Sequence, residues 1–320
     1  MNLEDKKKVL EGVLSTIDDE KIISEIKALL KVEAEYVCAL SYFLKNYRRQ
    51  VVDVVVLRDS HNAIKTGLRD FDNYTGGWKI GSLNIVAAHK GMGLRAFLIT
   101  ILGNTAIINK QEVAIFGLNN SAEFFTSRII ASESGISPGK LDLKALEKHE
   151  IVQLDKILDP LFDAPVFIDD AVSLTITGLK NKIKHLIEEK NLKIAMIENL
   201  EKIDGKRELV LKDLNRLAME LQIPIVAFYK LPPNWVERFD LNYKPSYLRF
   251  TKKYTHIAFH DYVETLTLIY RREYYGFSEW EVNTSCEGQA ELICYGKSFE
   301  SQNIRLKFIP HLGKFMDLYY

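Results

Sequence analysis

Between Gly81 and Phe97 the chain reads Gly-Ser-Leu-Asn-Ile-Val-Ala-Ala-His-Lys-Gly-Met-Gly-Leu-Arg-Ala-Phe. An apolar run, a glycine-bearing loop and a helix-forming stretch follow one another. That order gathers backbone N–H groups and a helix N-terminus around one small volume, which is how phosphates are cradled. The complete motif, G-x-x-x-x-G-K-[ST], adds a lysine for the β- and γ-phosphates and a hydroxyl for magnesium. Here Gly91 and Gly93 are in place, but Leu94 and Arg95 follow them. The glycines of a phosphate loop are present without its lysine and hydroxyl.

A second constellation lies between Lys230 and Lys253. Arg238, Lys244, Arg249, Lys252 and Lys253 alternate with Trp235, Phe239, Tyr243, Tyr247 and Phe250. Cations for phosphates and rings for base stacking are the composition of a single-strand nucleic-acid surface. The competing reading has the rings packing the segment onto the body, with Glu237 and Asp240 diluting the charge. Asp169 and Asp170 are adjacent on an expected strand, so their side chains point to opposite faces. They share no proton as a catalytic dyad, and a turn or capping role is expected. Of seven histidines only His256 and His260 have ligand-like spacing, and two further zinc ligands are missing. Cys38, Cys286 and Cys294 show no paired spacing, which argues against a disulfide scaffold and for free thiols in a reducing cytosol.

The elements that position these residues are readable from periodicity. Before residue 60, apolar stripes starting at Leu3 and at Ile22, and a third stretch from about Val32 to Arg49 that carries Tyr36, predict short amphipathic helices. Continuous apolar runs at 83–88, 113–116, 166–168, 194–197 and 223–228 predict strands of a parallel sheet covered on both faces. Helical stretches at 95–109, 122–133, 176–190 and 208–221 alternate with them, as βαβ units require. Runs at 262–270, 279–283, 291–295 and 304–309 predict antiparallel hairpins at one edge. With 320 residues, 47% hydrophobic and 27% charged, the chain has room for a large core, which excludes disorder as its dominant state. Its 43 basic and 43 acidic residues argue against binding nucleic acid by bulk charge. No apolar run has a membrane-spanning length, and a cytoplasmic location without membrane association is expected.

Several short segments together carry a resemblance. Thr66-Gly67, Phe71-Asp72 and Thr75-Gly76-Gly77 lead into the glycine-loop segment. The runs Val113 to Leu118, Val166 to Asp170, Leu217 to Phe228 and Tyr270 to Tyr275 follow in order. In this order and spacing, over residues 60–320, the chain resembles the C-terminal RecA-like motor domain of DnaB-type bacterial replicative helicases. The resemblance implies an α/β RecA-like P-loop ATPase core, largely parallel, with antiparallel C-terminal edge hairpins and short helices before it. It divides the chain into a helical lead, 1–60, in place of a large collar domain, and a motor-like domain, 61–320. It also implies ATP between subunits of a ring and single-stranded DNA in the channel.

Position by position, the resemblance places the phosphate lysine at Leu94 and the magnesium-binding threonine at Arg95. An apolar side chain offsets no phosphate charge, so phosphoryl transfer loses a main electrostatic stabiliser. Lys90 and Arg95 are the cations nearest in sequence to stand in. The water-activating glutamate corresponds to Asn119, whose amide accepts no proton. The magnesium-orienting aspartate corresponds to Glu198, which keeps the charge one methylene further out and weakens metal binding. The phosphate sensor falls on Lys230. The Lys and Arg contributed by a neighbouring subunit fall on Tyr295 and Lys297, and Lys297 lacks the planar fork. Arg271 completes the nucleotide-binding set of Gly91, Gly93, Leu94 and Arg95.

The resulting expectation is a helicase-like protein with a degenerate nucleotide site, weakened toward ATP, ADP and magnesium. It would be a DNA-associated structural or regulatory partner in replication or related DNA metabolism, assembling with itself or with a replicative helicase. The alternatives are an active helicase with an unorthodox loop and a protein–protein adaptor without DNA binding.

Overall fold

The computed structural model describes residues 62–118, 120–231, 261–281, 283–297 and 301–318. The expected helices before residue 60, Asn119, the basic–aromatic segment with Arg238, Lys244, Arg249, Lys252 and Lys253, and the His256–His260 pair lie outside the described residues.

A short antiparallel pair, β1 (Ala63–Ile64) and β2 (Trp78–Lys79), brackets α1 (Arg69–Thr75). The Thr66-Gly67 and Asp72 elements of the sequence signature meet here. Thr66 N and Oγ1 both donate to Asp72 Oδ1 at 2.9 Å, and Gly67 N donates to Oδ2 at 3.0 Å. Gly77 needs its missing side chain: a Cβ there would sit 2.6 Å from the Ile64 carbonyl oxygen. These signature residues therefore shape the lead-in to the sheet.

Six strands of the main sheet run parallel: β3 (Leu83–Ala88), β4 (Val113–Phe116), β5 (Val166–Asp169), β6 (Ile194–Ile197), β7 (Ile225–Lys230) and β8 (Thr265–Tyr270). Every residue of β3, β4, β6 and β8 is buried, as strands covered on both faces must be. A separate hairpin joins β9 (Glu279–Glu281) to β10 (Thr284–Ser285). The antiparallel edge is β11 (Gln289–Gly296), β12 (Gln302–Ile309) and β13 (Lys314–Asp317), added beside β8. The nine strands of the main sheet lie in the order β13-β12-β11-β8-β3-β7-β6-β4-β5. The helices are α2 (Leu94–Gly103), α3 (Ala122–Ser134), α4 (Pro138–Asp142), α5 (Lys148–Phe162), α6 (Ile176–Lys190) and α7 (Arg207–Leu221). Ser121 Oγ caps α3 through Phe124 N at 3.2 Å, and Thr175 Oγ1 caps α6 through Gly178 N at 3.1 Å.

Three expectations need correction. The helix expected over 95–109 is α-helical only to Gly103 and continues as a π-turn, Asn104–Ile108, where Asn104 Nδ2 reaches Thr66 O at 3.1 Å. The strand expected from 223 starts at Ile225, because Pro224 has no N–H for the ladder. Helices α4 and α5 and strand β13 have no counterpart among the expected elements. Asp169 Oδ1 accepts Ala171 N at 3.1 Å and its Oδ2 takes Lys182 Nζ, a turn-stabilising role as expected. Among the described residues no helix is long and apolar enough to cross a membrane.

Candidate nucleotide site

Parallel strands put all their carboxyl ends on one edge of a sheet, and open α/β sheets bind ligands outside that edge. The loop after β3, Glu198 after β6, Lys230 at the end of β7 and Arg271 after β8 all reach it. The sheet thus gathers residues that are up to 180 positions apart in sequence, the separation of Gly91 from Arg271.

The loop itself is held from two sides. Gly91 and Gly93 have φ of 88° and 93°, a left-handed conformation open to glycine at little cost. A Cβ at Gly91 would lie 2.4 Å from the Tyr274 ring, and one at Gly93 would lie 2.9 Å from the Phe315 ring. Arg271 Nη1 donates to Gly91 O at 3.0 Å, its Nη2 pairs with Glu273, and its guanidinium lies 4.2 Å from the Phe308 ring centroid. Glu273 Oε2 in turn accepts Gly288 N at 2.7 Å, tying the loop to the turn before β11. Counting back from Gly93, the first glycine of the full motif falls on Ala88, the last residue of β3, so only the second motif glycine is kept. His89, next along, is buried with neither ring nitrogen hydrogen-bonded, and burial lowers its pKa, which keeps it neutral.

Gly93 is the N-cap of α2 and no side chain caps that end. Leu94, the first residue of the helix, packs against the hydrophobic core. Arg95, the second, points across the edge to β6. Its Nε donates to Glu198 Oε1 at 2.6 Å, and Asn120 Nδ2 donates to Glu198 Oε2 at 2.6 Å. The Glu198 side chain is 5% exposed and that of Arg95 is 49% exposed. The Arg95 guanidinium also lies over the Phe124 ring, 5.0 Å from its centroid.

The structure therefore brings together Gly91, Gly93, Leu94, Arg95, Glu198 and Arg271. Lys230 reaches the same edge and is exposed. Tyr295 and Lys297 do not join them. Strand β11 runs antiparallel to β8 with Gly296 opposite Thr265, which puts both at the amino-terminal edge of the parallel strands. There Lys297 Nζ donates to Asp261 O at 2.8 Å. Asn120, Tyr274 and Phe315 are not singled out by sequence. The Asn-Asn pair at 119 and 120 is the one local signal for Asn120, whereas Tyr274 and Phe315 touch the loop only through the fold.

A largely parallel sheet with a glycine loop at its carboxyl edge, followed directly by a helix, defines a RecA-like fold of the P-loop ATPase class. Solved structures agree. One is titled "The Structure Of A DnaB-Like Replicative Helicase And Its Interactions With Primase", with TM-score 0.73, 17% identity, and coverage of 98% of this chain and 76% of that one. Another, described as an ATPase domain, has TM-score 0.72 and 18% identity, covering 88% of this chain and 99% of that one. A family model described as DnaB-like helicase C terminal domain matches residues 63–317, and the chain belongs to that family. The replicative DNA helicase DnaB of Geobacillus stearothermophilus is 26% identical over 265 residues, 80% of this chain and 56% of that protein. The chain spans about half the length of such curated relatives.

Proposed function

We propose that this chain is a DnaB-type relative whose nucleotide site does not sustain ATP hydrolysis, and that it serves DNA replication or related DNA metabolism as a structural or regulatory partner. The observation that carries this reading is Leu94. Where the full motif has a lysine, an apolar side chain begins α2 and packs against the core. A lysine there neutralises charge that builds on the transferred phosphoryl group, and removing such a stabiliser costs a large share of the rate. Asn119, at the position of the water-activating glutamate, supports the same reading, since an amide accepts no proton.

What the site retains is binding geometry. The uncapped start of α2 offers N–H groups, Arg95 offers a guanidinium, and Lys230 adds an exposed cation at the same edge. The partners proposed are further copies of this chain or a replicative helicase, with single-stranded DNA contacted through Arg238, Lys244, Arg249, Lys252 and Lys253. Lys297, at the opposite edge from the loop, would serve only a neighbouring subunit. The proposed division of the chain is a helical lead, 1–60, followed by the motor-like domain, 61–320.

Single-turnover phosphate release from ATP, measured with magnesium and a single-stranded DNA oligomer present, tests the reading. The expected result is no release above buffer. Stoichiometric release sinks it in favour of an active helicase. Salt-insensitive or absent DNA binding would turn the partner toward protein alone.

A further inference from the structure

Magnesium requires near-octahedral oxygen ligands at about 2.0–2.1 Å and in nucleotide sites takes a hydroxyl or carboxylate from the protein. The position of that hydroxyl is Arg95, and both carboxylate oxygens of Glu198 already accept protein donors at 2.6 Å. The residues present do not fit a magnesium ion. A guanidinium instead stands between the first turn of α2 and the carboxylate at the end of β6.

Those same residues do fit a phosphate anion. Arginine has five N–H donors in a rigid fork. Among the described residues, Arg95 spends only its Nε–H, on Glu198, and its side chain is half exposed. Glu198 and the Phe124 ring hold the guanidinium at a fixed place, so ordering it for a ligand costs little further entropy. Beside it lies the α2 N-terminus, whose first-turn N–H groups lack a side-chain cap. Arg271, by contrast, is committed to Gly91 O and Glu273 and shapes the loop.

We infer that this site binds the phosphate chain of a nucleotide without magnesium, with the Arg95 guanidinium as its built-in cation. The inference rests on the reading of the glycine loop as a nucleotide site made under the proposed function. It differs from it in what it requires: binding without metal, whether or not hydrolysis follows.

The experiment is a calorimetric titration of the full chain with ATP and with ADP, once in magnesium and once in EDTA. Affinities equal within about twofold in the two buffers are expected, and Arg95→Ala lowers both by about tenfold, the scale of one charge-assisted contact. Arg95→Thr, which returns a hydroxyl and releases Glu198, binds weakly in EDTA and regains about tenfold when magnesium is added. Arg95→Lys, which keeps the charge without the fork, guards against a folding artefact by retaining part of the affinity. Wild-type binding that depends on magnesium, absence of binding in both buffers, or undiminished binding by Arg95→Ala each overturn the inference. Phosphate release in the single-turnover assay overturns the proposed function and leaves this inference standing, so the two failures are distinct.

Discussion

Arg95 and Glu198, 103 residues apart in sequence, meet at 2.6 Å across the carboxyl edge of the sheet. Their pairing joins the start of α2, the helix that follows the loop, to the end of β6, a strand separated from β3 by β7 in the sheet. Glu198 is nearly excluded from water, so it relies on Arg95 to balance its charge and on Asn120 to donate a hydrogen bond to its other oxygen.

Removing that balance has a cost to folding. Deleting one partner of a fully buried pair costs about 3–5 kcal/mol, but half-exposed Arg95 leaves a path for water to reach the carboxylate. Arg95→Ala is therefore expected to lower stability by about 1–2 kcal/mol. Urea unfolding measures it, and an unchanged midpoint would show that Glu198 is already well solvated.

Gly91 combines two constraints, a φ of 88° and the overlying Tyr274 ring. Gly91→Ala is expected to cost about 1–3 kcal/mol, of which the left-handed backbone accounts for about 1–2. Tyr274 is half-exposed, so Gly91→Ala combined with Tyr274→Ala removes the overlying ring and recovers only the steric part. Full recovery in thermal melts of the double variant would mean that the backbone contributes nothing.

Arg271 works as a fork, one arm on Gly91 O and the other on Glu273, with its face on Phe308. A lysine has one ammonium and no plane. Arg271→Lys is expected to cost about 1–2 kcal/mol and to weaken nucleotide binding through a loosened loop. Unaltered hydrogen exchange at residues 89–93 in this variant would contradict the assignment.

Glu291 makes stability depend on pH. It sits on β11 between Tyr270 of β8 and Arg305 of β12 and is 3% exposed. Burial pushes its pKa up from 4.5 to about 7, against the opposing pull of Arg305, the Asn303 side chain and Arg272, while Glu281 adds to the rise. Between those values the folded protein holds a proton that the unfolded chain has released. Stability therefore falls as pH rises through that window and is level above it, by at most about 3 kcal/mol. Glu291→Gln should flatten this slope and exceed the wild type at about pH 8. Denaturation midpoints at about pH 5 and about pH 8 check it, and parallel curves for the two proteins would refute it.

Much of the fold is legible in the sequence because burial on both faces leaves a plain trace. Strands β3, β4 and β6 begin and end where the apolar runs do, and α6 spans 176–190 as its pattern indicates, with Thr175 as its cap. Helix α5 is not legible. Its proline, Pro160, argues against a helix, and exposed Ile151, Val152 and Phe162 blur the stripe that half-buried Leu154, Ile157, Leu158 and Leu161 form. The loop is legible from Gly91 and Gly93, whereas Ala88 in the place of a motif glycine is hidden among the apolar residues of β3.

By itself the sequence determined the parallel core, the glycine loop and the exchange of lysine and hydroxyl for Leu94 and Arg95, because residue type and short spacing carry that information. The tertiary structure alone decided what Arg95 does. In sequence it is one cation beside Lys90. In the fold, parallel strands end along one edge, Leu94 turns onto the core, and the next side chain is left facing the carboxylate of Glu198. Likewise only the antiparallel return of β11 sends Lys297 to the far edge, away from the loop. Such pairings arise from which strand ends lie side by side, and no local pattern of residues encodes that.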